Sequence, residues 1–313
     1  MDQKWSVGVV IPAKNEALHI GDVLLHLPKD VDLAVVVDDR STDDTASVAR
    51  NADAPCEVIV LSGPGEGVGA AIDAGHQYLL GHLRQPFVSV VMAGDGQMNP
   101  NDMENLIEPI LAGRADHVKG NRKSHPEGYN RMPVVRQLAS SLLAFFTTLA
   151  SGQRIQDPQC GYTATSSEVL NHWPWKRSWK GYGYPNFWLI NLSKAGWRIE
   201  EKPVQSIYRS ETSGIKRGRF FVSVGWMMAR EHHRRNLAWL KPPNLLPHTL
   251  FALFAYLLGW SALLPMFTND LEAELGSRGI PMLLLALVCW SMAHLFDRLA
   301  VRTRMELRLN AKT

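Results

Sequence analysis

The sequence predicts an α/β domain with a parallel sheet covered by helices, followed by a basic stretch and two apolar helices. Three observations carry that expectation. Short apolar, β-branched runs alternate with helical patterns through the first half, at residues 7–11 (VGVVI), 33–37 (LAVVV), 57–61 (EVIVL) and 87–92 (FVSVVM). These runs lack polar alternation, which implies burial on both faces, as in a parallel sheet between helix layers. Near the C-terminus, residues 249–267 and 280–296 are apolar over lengths that approach a bilayer's hydrocarbon thickness of about 30 Å.

At 313 residues the chain is longer than a typical single domain, although α/β domains above 200 residues are common. The net charge of +3 is small and gives no basis for a nucleic-acid partner. The three cysteines, Cys56, Cys160 and Cys289, form no CxxC pair and no metal-like spacing, so a reducing compartment without a disulfide framework is expected. The opening MDQKWSVGVV enters a strand almost at once with no apolar h-region, so no secretory signal peptide is expected.

In right-handed βαβ units the C-terminal ends of the strands share one edge, where ligands bind, and the acidic residues of interest all fall there. The first strand closes on Pro12-Ala13-Lys14-Asn15-Glu16; read alone, this is an ordinary turn with Asn15 capping the helix expected over 17–27. The second ends in VVVDDRSTDDT, where Asp38 or Asp39 could accept hydrogen bonds from a base N–H or a ribose hydroxyl. Ser41 or Thr42 through Asp44 reads as a helix N-cap with first-turn acids for a helix over 42–51, leaving Asp43 and Asp44 structural. GPGEGVGAAIDAG (63–75) mimics a dinucleotide fingerprint, but its GxGxG spacing from Gly65 is weak evidence for one. The fourth strand runs into VVMAGDGQMNP, stopping at a single carboxylate, Asp95, in a Gly-rich turn. Such a turn either presents a metal-binding acid or is only a turn. Residues 136–151 form an apolar stretch too short to span a bilayer and better read as a buried or interfacial helix; it leads to DPQCGYTAT and Asp157.

Taken together, VVIPAKNE, VVVDDRSTDDT, AGDGQ and DPQCGYTAT, in this order and rough spacing, resemble the family 2 GT-A glycosyltransferases. The branch containing dolichol-phosphate mannose synthase and bacterial polyprenyl-phosphate sugar synthases is the nearest likeness, over roughly residues 7–220. The resemblance implies a three-layer αβα nucleotide-sugar-binding domain. It places Pro12, Ala13, Asn15 and Glu16 against the nucleotide, with Asp38 and Asp39. The glycine segment would pack a helix under the nucleotide, with Gly67 and Gly69 as backbone contacts. AGDGQ stands where the family carries its DxD motif: Ala93 replaces the first acid, Asp95 matches the second, and Gly94 and Gln97 complete the donor-side turn. One carboxylate suffices for Mg²⁺ or Mn²⁺ when a diphosphate and water complete the octahedron. Arg40 stands where the family usually has Gly. Asp157 matches the family's acceptor-facing aspartate, usually assigned as general base. A lipid phosphate, with its second pKa near about 6, needs orientation more than deprotonation. In relatives an Arg after the fourth strand and a Ser/Lys-containing loop near the domain's end face the phosphates; SGIKRGRF matches that loop in part, and as a cluster Arg122, Arg131, Arg209 and Lys216 are expected to hold the acceptor phosphate.

The C-terminal third is read from the bilayer. Residues 216–241 combine seven Lys/Arg with one acid and several aromatics, a pattern suited to an anionic membrane surface. TNDLEAELGSRG between the apolar segments is acidic, whereas both outer flanks are basic, including Arg298, Arg302, Arg304, Arg308 and Lys312. That is the positive-inside pattern of a hairpin with both termini and the enzyme domain cytoplasmic. The expected organisation is therefore a GT-A domain (1–215), a juxtamembrane region (216–247), a transmembrane hairpin (248–297) and a basic cytoplasmic tail (298–313). The expected activity is inverting transfer of a hexose from UDP- or GDP-sugar to polyprenyl or dolichyl phosphate, and a homo-oligomer is compatible with it. The alternatives are another lipid or glycan acceptor, or a degenerate scaffold, for which Ala93 is the one argument; no QxxRW sequence supports a processive synthase.

Overall fold

The computed structural model describes residues 5–125, 134–207, 217–268 and 279–311. A seven-stranded sheet forms the centre, in the order β3-β2-β1-β4-β6-β5-β7. The strands are β1 (Ser6–Ala13), β2 (Leu33–Asp38), β3 (Glu57–Ser62), β4 (Phe87–Val91), β5 (His117–Asn121), β6 (Thr163–Ser166) and β7 (Ile199–Pro203). The four strands expected from apolar runs are β1 to β4, and they pair in parallel. The sheet departs from the wholly parallel expectation at β6, which is antiparallel to both β4 and β5.

Strands β5 and β6 escaped the apolar-run reading because their buried positions are polar. His117 Nδ1 and Thr165 Oγ1 lie 2.9 Å apart in a hydrogen bond between them, which satisfies both groups inside the sheet. The reversal of β6 has a functional consequence: its N-terminal end, not its C-terminal end, reaches the edge where β1, β2, β4 and β5 finish. The segment carrying Asp157 enters β6 from that edge.

The period-2 alternation of β1 and β2 divides the core into two layers. Val9, Ile11, Ala34 and Val36 pack against α1 (Ile20–Leu25), α2 (Thr45–Arg50) and α4 (Met103–Leu111). Val10, Val35 and Val37 face the other way, toward α3 (Val68–His82), α6 (Ser167–Asn171) and α7 (Tyr184–Lys194). Helices α1 and α2 are shorter than the sequence pattern suggested, because residues 15–17 and 41–45 bond to each other instead.

Helix α5 (Val134–Ser151) buries Leu143, Ala144, Thr147 and Ala150 and exposes Leu138, Leu142, Phe145 and Phe146 on its opposite side. Helix α8 (Arg217–Trp239) buries Val224, Met227 and Met228 against this layer. Helices α9 (Pro247–Thr268) and α10 (Ile280–Asn310) pack along each other and are long and apolar enough to cross a membrane. Helix α10 continues well beyond the apolar stretch ending at 296. Its last turns carry Arg304 over Trp239 and Arg308 over Trp197, at 3.9 and 3.2 Å from the ring centroids.

Candidate active site

The edge at the ends of β1, β2, β4 and β5 gathers most of the residues singled out in the sequence. Beside the ends of β1 and β2, two loops are stapled together. Asn15, at a φ of 57°, accepts from Thr42 N through its side-chain oxygen (2.8 Å), and its own N–H donates to Ser41 Oγ (2.9 Å). Glu16 N donates to Thr45 Oγ1 at 2.8 Å. Asn15 therefore fastens the loop after β1 to the loop after β2 rather than capping α1, whose N-cap is His19. Asp43 accepts from Thr45 and from Ala17 N, a structural role that holds its carboxyl below the usual carboxylate range, the Thr45 hydroxyl contributing most.

Asp38 closes β2, with Oδ1 accepting from Ser41 N at 3.2 Å. Asp39 is buried, its N–H donating to Ala13 O at 2.9 Å and its Oδ1 accepting from Gly65 N at 2.6 Å. The Asp38-Asp39 pair thus binds the first and third strand loops into one floor, with Pro12 and Ala13 beside it. Arg40 sits in the left-handed region at φ 61°, the conformation that explains a glycine preference at this turn. Its side chain lies over Gly65, where any Cβ would collide with the guanidinium.

Gly67 and Gly69, expected as close backbone contacts, are closely approached by the chain itself. A Cβ at Gly69 would fall 2.2 Å from Trp179 O, and one at Gly67 would fall 2.8 Å from Lys180 O. The aromatic-rich segment before α7 therefore covers the start of α3.

The β4 loop continues this floor. Met92 N donates to Val10 O and Gly94 N to Pro12 O (3.0 and 3.2 Å), which keeps AGDGQ alongside the end of β1. Asp95 Oδ1 accepts from Gln97 N at 3.0 Å, in a turn whose Gly96 has φ 69°. Ala93 N is 3.3 Å from Met98 Sδ. The loop is braced from the far side by Ile207 N, which donates to Gln97 O at 3.0 Å, and by Tyr162 Oη, which donates to Asn99 O at 3.1 Å. Among the described residues no three His, Cys, Asp or Glu side chains cluster as a metal cage. A single half-buried carboxylate, oriented by its own turn, fits a divalent cation whose remaining oxygens come from a diphosphate and water.

The opposite wall is an ion-paired cluster around Asp157. Its carboxylate is fully buried and receives Arg122 Nε (2.7 Å) and Nη2 (2.9 Å) in a bidentate pair, together with Arg122 N (3.1 Å). Burial alone would raise Asp157, but the hydrogen bonds and charge of Arg122, with the Lys119 charge, hold it below the ordinary carboxylate range. Arg122 keeps 21% of its side chain exposed at the edge. Asn121 accepts from Lys123 N and Ser124 N, forming the turn that aims Arg122 back at Asp157. Lys119, also fully buried, donates to Cys160 O, and burial lowers its pKa.

Glu201 on β7 was not found from the sequence. Its carboxylate accepts from Gln156 N and Asp157 N at 2.9 and 3.0 Å, fixing the peptide that carries Asp157. Burial lifts Glu201 above its usual range, opposed by those two amides. Nothing in IEEKP marks this glutamate, because its partners lie 44 and 45 residues away. Arg131, Arg209 and Lys216 lie outside the described residues.

Three comparisons now bear on the chain. The family described as Glycosyl transferase family 2 matches residues 8–173, more than half of the sequence. Glycosyltransferase AglJ of Haloferax volcanii is 31% identical over 74% of this chain and 72% of its own length. A UDP-N-acetylglucosamine–dolichyl-phosphate N-acetylglucosaminyltransferase of Methanococcus voltae is 27% identical over 64% of this chain and 85% of its own. Among solved structures, glucosyl-3-phosphoglycerate synthase of Mycobacterium tuberculosis, in complex with Mn²⁺, UDP and glucosyl-3-phosphoglycerate, superposes with a TM-score of 0.56 at 22% identity, covering 73% of this chain and 80% of that one. The same enzyme with Mg²⁺ and UDP also superposes with a TM-score of 0.56. With that sheet, that floor of carboxylates and these matches, the chain belongs to Glycosyl transferase family 2 and is a hexosyltransferase of GT-A fold.

Proposed function

We propose that this enzyme transfers a hexose from a nucleoside diphosphate sugar to a polyprenyl or dolichyl phosphate at the cytoplasmic face of a membrane. The observation that carries the reading is the composition of one sheet edge. Donor-side carboxylates (Asp38, Asp39, Asp95) and a buried, Arg-paired carboxylate (Asp157) share it, on a domain continued by two helices long enough to span a bilayer. The dolichyl-phosphate acceptor named for the Methanococcus voltae relative supports the acceptor class, and the UDP complexes of the synthase with Mn²⁺ or Mg²⁺ support the donor class and the metal.

The chemistry follows from the charges. The bond from the anomeric carbon to the leaving diphosphate oxygen breaks as an acceptor phosphate oxygen attacks from the opposite face, giving inversion without a glycosyl-enzyme intermediate. Asp38 and Asp39 hold the nucleoside end. Asp95 would hold Mg²⁺ or Mn²⁺, which supplies Lewis-acid stabilisation of the departing diphosphate. Asp157, kept ionised and saturated by Arg122, is poorly suited to take a proton, and an anionic acceptor phosphate needs none removed. Its role is to lock the Arg122 guanidinium, with Lys119 behind it, as fixed positive charge facing the incoming phosphate and the transition state. The amphipathic α8 and the α9–α10 hairpin bring this edge to the bilayer, where the lipid acceptor resides.

The experiment is direct. Purified protein incubated with Mg²⁺, polyprenyl phosphate and a panel of radiolabelled UDP- and GDP-sugars is expected to render one label organic-extractable. Transfer only to a diacylglycerol or glycan acceptor, with polyprenyl phosphate inert, would replace the acceptor assignment.

A further inference from the structure

Away from the catalytic edge, a cavity of about 310 Å³ lies where the domain meets the two long helices. Lys194 at the end of α7, Trp239 at the end of α8, Pro243 and Leu246 in the turn before α9, and Arg304 and Leu307 on the last turns of α10 line it. Nothing in the transfer reaction uses these residues.

Two cations wall this space without an ion pair among the described residues. Arg304 makes its hydrogen bonds to neutral groups, donating to Ala300 O, Asn244 O and Thr249 Oγ1, and lies over the Trp239 ring. Lys194 has no hydrogen bond to its ammonium among the described residues. The acid that acts on it, Glu231, is already bridged to Arg230 and Arg234 at 3.0 and 3.4 Å. Burial, then Arg177 and Arg234, push the Lys194 pKa down against Glu231, as expected of a cation lacking a counter-ion. Positive charge gathered in a partly apolar recess calls for an anion.

Position selects the kind of anion. The dense run of exposed apolar side chains on the helix pair begins at Leu250 on α9 and breaks off at Leu295 on α10, with Leu307 and Leu309 exposed separately in its last turns. The cavity lies beyond both limits, at Leu246 and Arg304, with exposed Leu307 in its lining. Basic pockets beside membrane helices on the cytoplasmic side suit lipid phosphates, with acyl chains running onto the adjoining apolar face.

We propose that this cavity binds a phosphate ester, supplied by the headgroup of an anionic phospholipid of the adjoining leaflet. Lys194 and Arg304 grip the phosphate, and the Trp239 edge and Leu246 line the glycerol. The site would tie the helix pair to the catalytic domain through a lipid. The source of the phosphate rests on the membrane reading proposed above; the anion site itself does not.

The test uses the purified full-length chain in detergent. Native mass spectrometry with added phosphatidylglycerol, against phosphatidylcholine, reads the lipid arm, and calorimetry with glycerol 3-phosphate reads the soluble arm. Lys194→Gln is expected to reduce phosphatidylglycerol retention about fivefold, the effect of one lysine near an anionic headgroup. Ala238→Phe, which fills the cavity without altering charge, should reduce it as well, while both variants keep sugar-transfer activity. Lys194-dependent binding of glycerol 3-phosphate alone would confirm the anion site and assign it to soluble phosphates. Equal binding by wild type and both variants in both arms would overturn the proposal. Release of the chain from membranes by high salt would instead overturn the membrane reading, a separate outcome.

Discussion

Asp95 lies in the turn after β4 and Asp157 in the loop that leads into β6, and under the proposed function their surroundings give them opposite tasks. Asp95 is half-buried in a glycine turn, where it can meet a cation shared with a diphosphate. Asp95→Asn should therefore slow transfer on the order of 100-fold or more, because several kcal/mol of charge stabilisation is lost. Initial rates with and without chelator check this, and full activity in excess chelator would remove the metal from the reaction. Asp157 is enclosed and saturated by Arg122. Asp157→Asn should leave nucleotide affinity nearly intact while lowering kcat strongly, since the fixed guanidinium matters most where charge develops. It should also cost about 2 kcal/mol of stability through the weakened charged hydrogen bonds. Calorimetry with nucleotide beside steady-state rates separates the two effects; loss of nucleotide binding would place Asp157 on the donor side.

Between elements, the sheet carries buried polar links whose cost appears in acid. His76 on α3 bonds Ser89 on β4 at 2.8 Å, and His117 on β5 bonds Thr165 on β6. Burial pushes both imidazoles down to about 3, helped at His117 by the charge of Lys119. The folded chain keeps them neutral while the unfolded chain protonates them below its ordinary value near 6.5. The unfolded state then binds more protons between about pH 6.5 and 3. The stability due to neutral burial is complete above 6.5 and lost as pH falls through that window, by about 1.4 kcal/mol per unit for each histidine. Melting temperatures from pH 7.5 to 4.5 should fall accordingly, and His117→Gln should remove one histidine's share of that slope, about 1.4 kcal/mol per pH unit. An unchanged slope would show that other groups carry the acid sensitivity.

At the scale of the molecule, a buried ion pair joins the long apolar helix pair to the enzyme domain. Arg235 on α8, wholly buried, donates to Asp297 on α10 at 2.6 Å and to Ser151 O at the end of α5 at 2.9 Å. Asp297→Ala would strand the guanidinium, at a cost of about 3–5 kcal/mol, whereas Asp297→Asn should cost less. Thermal unfolding of the detergent-purified variants reads the difference, and equal melting for all three forms would show that the pair contributes nothing. The orientation of the pair of helices can be checked in intact cells. After the native cysteines are replaced, an impermeant thiol reagent should label Gly279→Cys and spare Ala311→Cys. The reverse pattern would place the enzyme domain on the other side of the membrane.

Apolar runs revealed β1 to β4, the apolar helix α5 and the two long helices, because burial on both faces of a strand or around a helix writes itself directly into residue type. Strand ends likewise exposed Asp38, Asp39 and Asp95, since a carboxylate halting an apolar run is a local signal, whereas Asp157 was legible only through the resemblance of DPQCGYTAT to the family. Neither the reversal of β6 nor the strand identity of β5 was visible, because their polar residues are satisfied by each other across 48 residues of chain. Tertiary structure alone brought Arg122 onto Asp157, set Glu201 beneath it, covered Gly67 and Gly69 with Trp179 and Lys180, and docked the basic end of α10 on Trp239 and Trp197. The physical division is one of range. Solvation and backbone preference act on each residue where it stands, whereas the pairing of charges and the close approach of backbones depend on which distant segments the fold places side by side.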